Sequence, residues 1–321
     1  MFGGHVRRPG ALLIVYSIPL KNRFRGIDRR EGVLIKGDAG WSEWSPFLEY
    51  GPDEAKWWWR AAMEAAEFGF PEAVRESIPV NVTVPVISPD AAYALVEQSG
   101  CSTAKVKVAD PGSTLAQDMD RVEAVRAALG PSGFVRVDAN GAWELDEAVH
   151  NLRELGRFDL QYAEQPVRAT EDLAELRLRL ARLLIDIPIA ADESIRKAQD
   201  PYLVKRLDAA DIAVLKVQPL GGVRRCLQIA SDLGLPVVVS SAIETSVGLR
   251  MGVALAAALP DLDFACGLGT ATMLTQDVVA DPLVPVDGML PVRDVEVQQG
   301  DWLADAETTA RWERRADSIA G

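Results

Sequence analysis

The chain is short of four things, and each shortage removes a class of explanation. Cysteine occurs three times in 321 residues. Cys101, Cys226 and Cys266 lie far apart without a CxxC spacing, so neither a disulfide framework nor a zinc site is indicated, and a reducing cytoplasm is the plain setting. Histidine occurs only twice, as His5 near the terminus and His150 inside the polar-faced run ELDEAVHNLREL. Basic residues number 34 against 47 acidic ones, a net charge of −13. That balance argues against a nucleic-acid surface, which needs clustered Lys and Arg, so an anionic ligand must be met locally. No apolar run approaches the roughly 18 residues of a membrane span. The opening HVRRPGALLIVYSIPL places two arginines before an apolar run, as an export signal does. Here the run is short, Pro19 and Lys21 close it and no small-residue cleavage site follows, so it reads as a first β-strand.

What the chain does have is a series of short apolar runs, each closed by a charge. TAKVKVA (103–109), FVRVDAN (134–140), LQYAEQP (160–166), PIAADES (188–194) and IAVLKVQP (212–219) read as buried strands, being rich in Val, Ile, Leu and Ala and followed by turn residues or Pro. Asp138, Glu164, Asp192 and Lys216 recur near their ends at steps of 26, 28 and 24 residues, about one strand plus one helix. VNVTVPVIS (80–88) adds a first strand, PVVVSSAIE (236–244) a seventh and DFACGLGT (263–270) an eighth, with helical runs between them. Alternation of this kind predicts a parallel sheet closed into a TIM-type (β/α) barrel, with the terminal charges converging at one end.

Such a barrel takes about 250 residues, which leaves both chain ends for something else. ALLIVYSI (11–18) and EGVLIK (31–36) read as strands of an antiparallel meander, and DEAKWWWRAAMEAAEFGF (53–70) as a helix with an acidic first turn. Trp57, Trp58 and Trp59 cannot all face one core, so they divide between packing inside a helical layer and an interface contact. The polar stretch KNRFRGIDRR (21–30) is either a solvated loop or a lid that brings positive charge to an anion. From Pro282 the alternation breaks, and a polar helix around Trp302 to Arg314 closes the chain. The expected division is an α+β capping domain from residues 1–78 plus about 285–321, and a barrel over 79–284.

Asp138, Glu164 and Asp192 offer three hard oxygen ligands from neighbouring strands, a set suited to Mg²⁺, with Mn²⁺ as a substitute. Gathering three carboxylates without a cation is costly, because each raises the pKa of the others. Neither histidine can reach the strand ends, so the base is a lysine. Lys105 and Lys107 lie two apart on one strand and project to the same face. A lysine inside a barrel must be paired or working. A second ammonium and a divalent cation would bring its pKa down from the ordinary value of about 10.4, as a base requires. Lys216, on the sixth run, faces this pair across the barrel. Arg136 shares the parity of Asp138 and should meet either a substrate carboxylate or a barrel carboxylate. A metal with lysines on opposite sides is the equipment for removing a proton from the carbon beside a carboxylate.

As a set, KVK (105–107), VDAN (137–140) followed by Trp143, EQP (164–166), ADES (191–194) and LKVQP (215–219) resemble the enolase superfamily. Within it they resemble the muconate lactonizing enzyme subgroup, whose bases are lysines on the second and sixth strands. The seventh-strand histidine of the mandelate racemase branch is absent; SSAIE stands there. The resemblance spans essentially the whole chain. Its compact length, SSAIETSVG (240–248) and GLGT (267–270) are most similar to a dehydrating branch of that subgroup.

That resemblance implies a small dicarboxylate substrate, a cyclohexadiene carboxylate bearing hydroxyl and succinyl groups. Lys107 would remove its α-proton and return it to the departing hydroxyl, Lys216 would stabilise the enediolate as a cation, and Lys105 would lower the pKa of Lys107. It also implies that Asn140 and Glu193 hold the ligands and Lys216 in place. Ser240, Ser241, Gly267, Leu268 and Gly269 would line the succinyl side, and Arg25 would belong to the lid. For the two serines the alternative is an ordinary strand-end hydrogen bond. A racemase or epimerase of N-acylamino acids or dipeptides uses the same two lysines, although Cys266 to Gly269 replace the acidic DxD that dipeptide epimerases often carry on the eighth strand. A Schiff-base aldolase would use Lys216 alone and needs no carboxylate triad. A non-enzymatic binding protein leaves the lysines without a role.

Overall fold

A computed structural model describes residues 6–8, 11–24, 26–197 and 200–320. Four antiparallel strands, β1 (Val6–Arg8), β2 (Ala11–Phe24), β3 (Ile27–Gly37) and β4 (Gly40–Trp44), pair in sequence order. Side-chain alternation along β2 and β3 buries both faces of this sheet. Ile14, Tyr16, Ile18 and Leu34 join the core shared with the barrel, while Leu13, Val15, Val33 and Ile35 face a separate aromatic cluster. That second face is covered by α1 (Pro52–Phe68), begun by Pro52 and acidic Asp53 and Glu54 and packed through an Ala-rich stripe. Close approach has a price in side-chain size: a Cβ on Gly37 would lie 2.5 Å from the Ala66 carbonyl oxygen.

The three tryptophans divide as the steric argument requires. Trp58 is buried beside Phe47 and Tyr50, Trp59 meets the edge of Trp44 at 5.2 Å, and Trp57 lies under the Arg225 guanidinium at 3.8 Å on the barrel side.

A parallel sheet follows: β5 (Ser77–Pro79) leads into β6 (Val82–Val84), α2 (Pro89–Ser99), β7 (Thr103–Lys107), α3 (Leu115–Leu129), β8 (Phe134–Asp138), α4 (Leu145–Leu155) and β9 (Leu160–Glu164). Then come α5 (Thr170–Arg182), β10 (Ile189–Ala191), the single turns α6 (Glu193–Arg196) and α7 (Leu203–Arg206), β11 (Ile212–Leu215), α8 (Val217–Leu220), α9 (Val223–Leu233), β12 (Val237–Val239) and α10 (Ser246–Ala258). Strands β6 to β12 form one seven-stranded sheet in sequence order. The ring closes without a regular eighth strand, through parallel bridges from Cys266 to Val80 and from Gly267 to Ser240. The Cys266 amide donates to Pro79 at 2.7 Å, and the Gly267 amide to Val239 at 2.8 Å.

The closing segment returns to the meander. Met289–Pro291 (β13) pairs with β5, the Ser17 amide donates to the Trp302 carbonyl, and the Ala304 amide to Val15. The final helix α11 (Ala306–Ala320) sets Trp312 against Trp44 at 5.4 Å.

Three expectations need correction. The 263–270 run is not a regular strand: only Cys266 and Gly267 pair, one to each neighbour, before the chain turns into the 3₁₀ turn Gly269–Met273. The polar stretch 21–30 is not an open loop. Main-chain pairing is indifferent to side-chain polarity, so β2 runs on to Phe24 and β3 starts at Ile27, these two facing each other beyond a register shift after Pro19. Of the helical runs expected between the strands, the one between β10 and β11 is reduced to the single turns α6 and α7.

Candidate active site

Five charged residues end five consecutive strands. Lys107, Asp138 and Glu164 are the last residues of β7, β8 and β9, while Asp192 and Lys216 directly follow β10 and β11. Pairing is in register, Lys107 opposite Asp138 and Asp138 opposite Glu164, so the charges stand side by side at the carboxyl end of the barrel. Side chains alternate across the sheet, which puts Lys105 on the same face as Lys107. Four non-glycine residues just beyond β7, β8, β9 and β12, namely Ala109, Asn140, Gln165 and Ile243, take φ between 40° and 61°. Backbone strain of that kind persists only where the surroundings enforce it, and it gathers at functional sites.

The lysines and carboxylates interlock. Lys105 Nζ lies 2.9 Å from both oxygens of Glu164 and 3.2 Å from Asp138. Lys107 Nζ donates to Asp138 Oδ2 at 2.5 Å and to Asn140 Oδ1 at 2.6 Å, and it lies 5.5 Å from the centre of the Phe24 ring. Lys216 Nζ donates to Asp192 Oδ2 at 2.6 Å. Asp138, Glu164 and Asp192 are at most 1% exposed. Lys107 and Asn140 open onto a cavity of about 1200 Å³, roofed by Arg23, Phe24 and Gly26 of the β2–β3 hairpin.

Electrostatics differ sharply from one group to the next. Burial lowers the Lys107 pKa below the ordinary lysine value; Asp138 opposes this and the Lys105 charge adds to it. Burial acts the same way on Lys105, but the Glu164 and Asp138 charges outweigh it and hold its proton firmly. Burial first, and then the charge of Asp138, push Glu164 up to about 7, with Asp192 contributing in the same direction. Burial opposes ionisation of Asp138 and Asp192 as well, yet their cationic neighbours keep both below the usual carboxylate range.

Two residues outside the sequence reading organise these groups. Gln165 accepts the Asp192 and Ser194 amides at 3.0 and 3.1 Å through Oε1 and donates to Ser194 Oγ and the Val167 carbonyl through Nε2, locking the turn after β10. Arg196 donates to Asp192 Oδ1 at 2.8 Å and to Glu193 Oε1 at 2.5 Å. The signals were present: an amide beside the acid of EQP, and an arginine four residues beyond Asp192, a spacing that brings side chains together on a helical turn.

Other candidates stand elsewhere. Arg136 is fully buried, but its partners are neutral: Gln161, Asn81 and the Ala265 carbonyl, with the Tyr162 ring 4.7 Å away. No barrel carboxylate among the described residues pairs with it, so the expected salt bridge within the barrel does not form. Ser241 takes the strand-end alternative, bonding to the Gly267 carbonyl at 2.7 Å and to Thr270 Oγ1. Ser240 is buried against Gly267, where a Cβ would lie 2.7 Å from the serine oxygen. Leu268 is fully buried and packs toward Gly252, and Gly269 adjoins the Asn81 carbonyl. Asn140 Nδ2 reaches Glu193 Oε1 at 3.4 Å, so these two do meet. His150 is exposed on α4; His5 and Arg25 lie outside the described residues.

Among the described residues, no three Asp, Glu, His or Cys side chains are drawn together at metal-binding separation. Each of the three carboxylates is instead spanned by a lysine ammonium, which supplies a cation's charge. The donor set nevertheless fits a hard divalent ion: three carboxylates are buried together, Glu164 is raised by that burial first and then by the charges of Asp138 and Asp192, and Glu193 Oε2 is buried without a partner.

Comparison with known proteins agrees with this geometry. Residues 15–66 match the enolase N-terminal domain-like family and 89–297 the enolase C-terminal domain-like family. The o-succinylbenzoate synthase of Thermobifida fusca is 58% identical over 301 residues, covering 94% of this chain and 93% of the relative. The enzyme of that name from Mycolicibacterium smegmatis is 52% identical, covering 87% and 85%. Among solved structures, muconate lactonizing enzyme from Pseudomonas fluorescens superposes with a TM-score of 0.77 at 22% identity, over 94% of this chain and 98% of that one. The L-Ala-D/L-Glu epimerase of Bacillus subtilis gives 0.74 at 22%, over 89% and 96%; at such identity these two show the fold alone. The chain therefore belongs to the enolase superfamily and, within it, to the o-succinylbenzoate synthases.

Proposed function

We propose that the protein converts 2-succinyl-6-hydroxy-2,4-cyclohexadiene-1-carboxylate to 2-succinylbenzoate by a syn dehydration, as a cytoplasmic step of menaquinone biosynthesis. The observation that carries this reading is the placement of the lysines. Lys107 and Lys216 end the second and sixth strands of an eight-membered ring, hence opposite sides of it, and each is held by a carboxylate, Asp138 or Asp192. Asp138, Glu164 and Asp192 would hold a divalent cation, Mg²⁺ by the hardness of its oxygen ligands. When bound, that ion supplies charge stabilisation for a substrate carboxylate as its α-carbon loses a proton.

The rest is the work of this chain's residues. Lys107, whose pKa burial and Lys105 bring down, accepts the α-proton as a neutral amine. Lys216 stays an ammonium and stabilises negative charge on the opposite face. The protonated Lys107 then gives its proton to the hydroxyl leaving from its own face; the C–O bond breaks, a ring double bond forms and water departs. Lys107 returns to the neutral state. Phe24 on the hairpin above Lys107 shields the amine from bulk water, which keeps the charge interactions strong. Loss of the cyclohexadiene absorbance on adding purified protein with Mg²⁺ tests the reading; no loss, with and without metal, refutes it.

A further inference from the structure

We infer that Arg196 is a positioning residue on which both lysine arms of the site depend. The inference rests on the proposed function for the roles of Lys107 and Lys216, and goes beyond it in naming what sets their relative placement.

One guanidinium, on a side chain 3% exposed, makes three contacts of different consequence. Nε donates to Asp192 Oδ1 at 2.8 Å, and the other oxygen of that carboxylate receives Lys216 Nζ at 2.6 Å. Nη2 donates to Glu193 Oε1 at 2.5 Å; the same oxygen accepts Asn140 Nδ2 at 3.4 Å, and Asn140 Oδ1 accepts Lys107 Nζ at 2.6 Å. Nη1 donates to Tyr50 Oη at 3.1 Å. Two chains of contacts leave Arg196, one ending on each lysine.

The third contact gives the other two a fixed reference. Tyr50 lies between β4 and α1, edge-on to Phe47 and Trp58 in the aromatic cluster of the N-terminal meander, and Arg315 of α11 donates to its carbonyl at 2.8 Å. Asp192 and Glu193 are thus held against a packed element outside the barrel.

Only arginine can do this. Its planar fork presents Nε and Nη2 side by side to adjacent carboxylates while Nη1 points elsewhere, whereas a lysine offers one point charge. Because Nε engages Oδ1 of Asp192, the carboxylate is held with Oδ2 toward Lys216 Nζ. Without the guanidinium, Asp192 keeps only Lys216 and Glu193 only the long Asn140 contact, so neither carboxylate is fixed against the other.

The test compares Arg196→Gln, Arg196→Lys and Tyr50→Phe with the wild type in two readouts: Mn²⁺ affinity by electron paramagnetic resonance without substrate, and kcat and KM for the dehydration. Arg196→Gln should weaken Mn²⁺ binding about 10- to 100-fold and lower kcat by a similar factor while KM stays within about threefold. Arg196→Lys restores the charge but not the fork, and should remain at least about tenfold below wild type; Tyr50→Phe, with the reference contact gone, should lose a few-fold in both readouts. Wild-type Mn²⁺ affinity and kcat in folded Arg196→Gln would overturn the inference. If that variant does not fold, Arg196→Lys decides: full recovery shows that charge alone suffices and overturns it. Mn²⁺ affinity is read without substrate, so a wrong substrate assignment leaves the expected loss intact, whereas failure of this inference leaves affinity unchanged.

Discussion

Lys107 and Asp138 are register partners at the ends of adjacent strands, and their side chains meet at 2.5 Å. The contact points the amine inward and, with Asn140 as a second acceptor, fixes the direction in which it can take a proton. It also couples the proposed base to one carboxylate of the proposed ligand set, so that changing one alters the surroundings of the other.

Removing either lysine should therefore abolish turnover without unfolding the barrel. Lys107→Ala and Lys216→Ala are expected to lower kcat by about 10² to 10⁴, the range for loss of a positioned proton-transfer group or its electrostatic partner. Circular dichroism and melting temperature check that the fold survives. Wild-type kcat in Lys107→Ala would remove it as the base.

The pH profile should carry the signature of Lys105. Burial lowers the Lys107 pKa and the Lys105 charge lowers it further. Activity needs the neutral amine, so kcat/KM should rise with pH along an acid limb that reports Lys107. Lys105→Met removes one lowering cause, and the limb should move to higher pH. A limb that stays in place or moves to lower pH would show that Lys105 does not tune the base.

Much of this was legible in the sequence, for definite reasons. Fully buried parallel strands read as apolar runs, and a charge at the end of such a run stands out; hence Lys107, Asp138, Glu164, Asp192 and Lys216 were placed together. What was not legible depended on partners distant in the chain. Arg136 finds Asn81, Gln161 and Ala265 on three other segments, and nothing local announces them. The 21–30 stretch looks like a loop because its polarity says nothing about main-chain pairing with its own continuation. Closure of the ring rests on two residues, Cys266 and Gly267, too few for any periodicity to show.

Lys105 should also matter for stability when metal is withheld. Its ammonium spans Glu164 and Asp138, all nearly fully buried. Lys105→Met leaves those carboxylates with less compensation, and in EDTA the cost should be about 3–5 kcal/mol, as for other broken buried pairs. Added Mg²⁺ should recover part of it by binding only the folded form. Denaturant titrations with and without metal measure both; no loss in EDTA would mean the ammonium is not a charge substitute.

Glu244 should make stability fall as pH rises. Burial, and then the charge of Glu43, push its carboxyl from 4.5 up to about 7. A folded-state pKa above the unfolded one gives a contribution fully present below about pH 4.5 and lost as pH rises through about 7, on the order of 3 kcal/mol. Glu43 is shifted in the same direction, again mainly by burial. Glu244→Gln should flatten the decline in unfolding free energy between about pH 5 and about pH 8. An unchanged slope would assign the decline to other groups.

Dehydration of the cyclohexadiene carboxylate by Lys107 with a divalent ion is tested most directly by a paired assay on one preparation. Loss of the diene's absorbance is followed beside loss of optical rotation of an N-succinylamino acid, each with Mg²⁺, with EDTA and with Lys107→Ala. The predicted result is fast dehydration abolished by both treatments, with racemization much slower. Fast racemization with negligible dehydration would keep the fold and the lysines but contradict the assigned reaction.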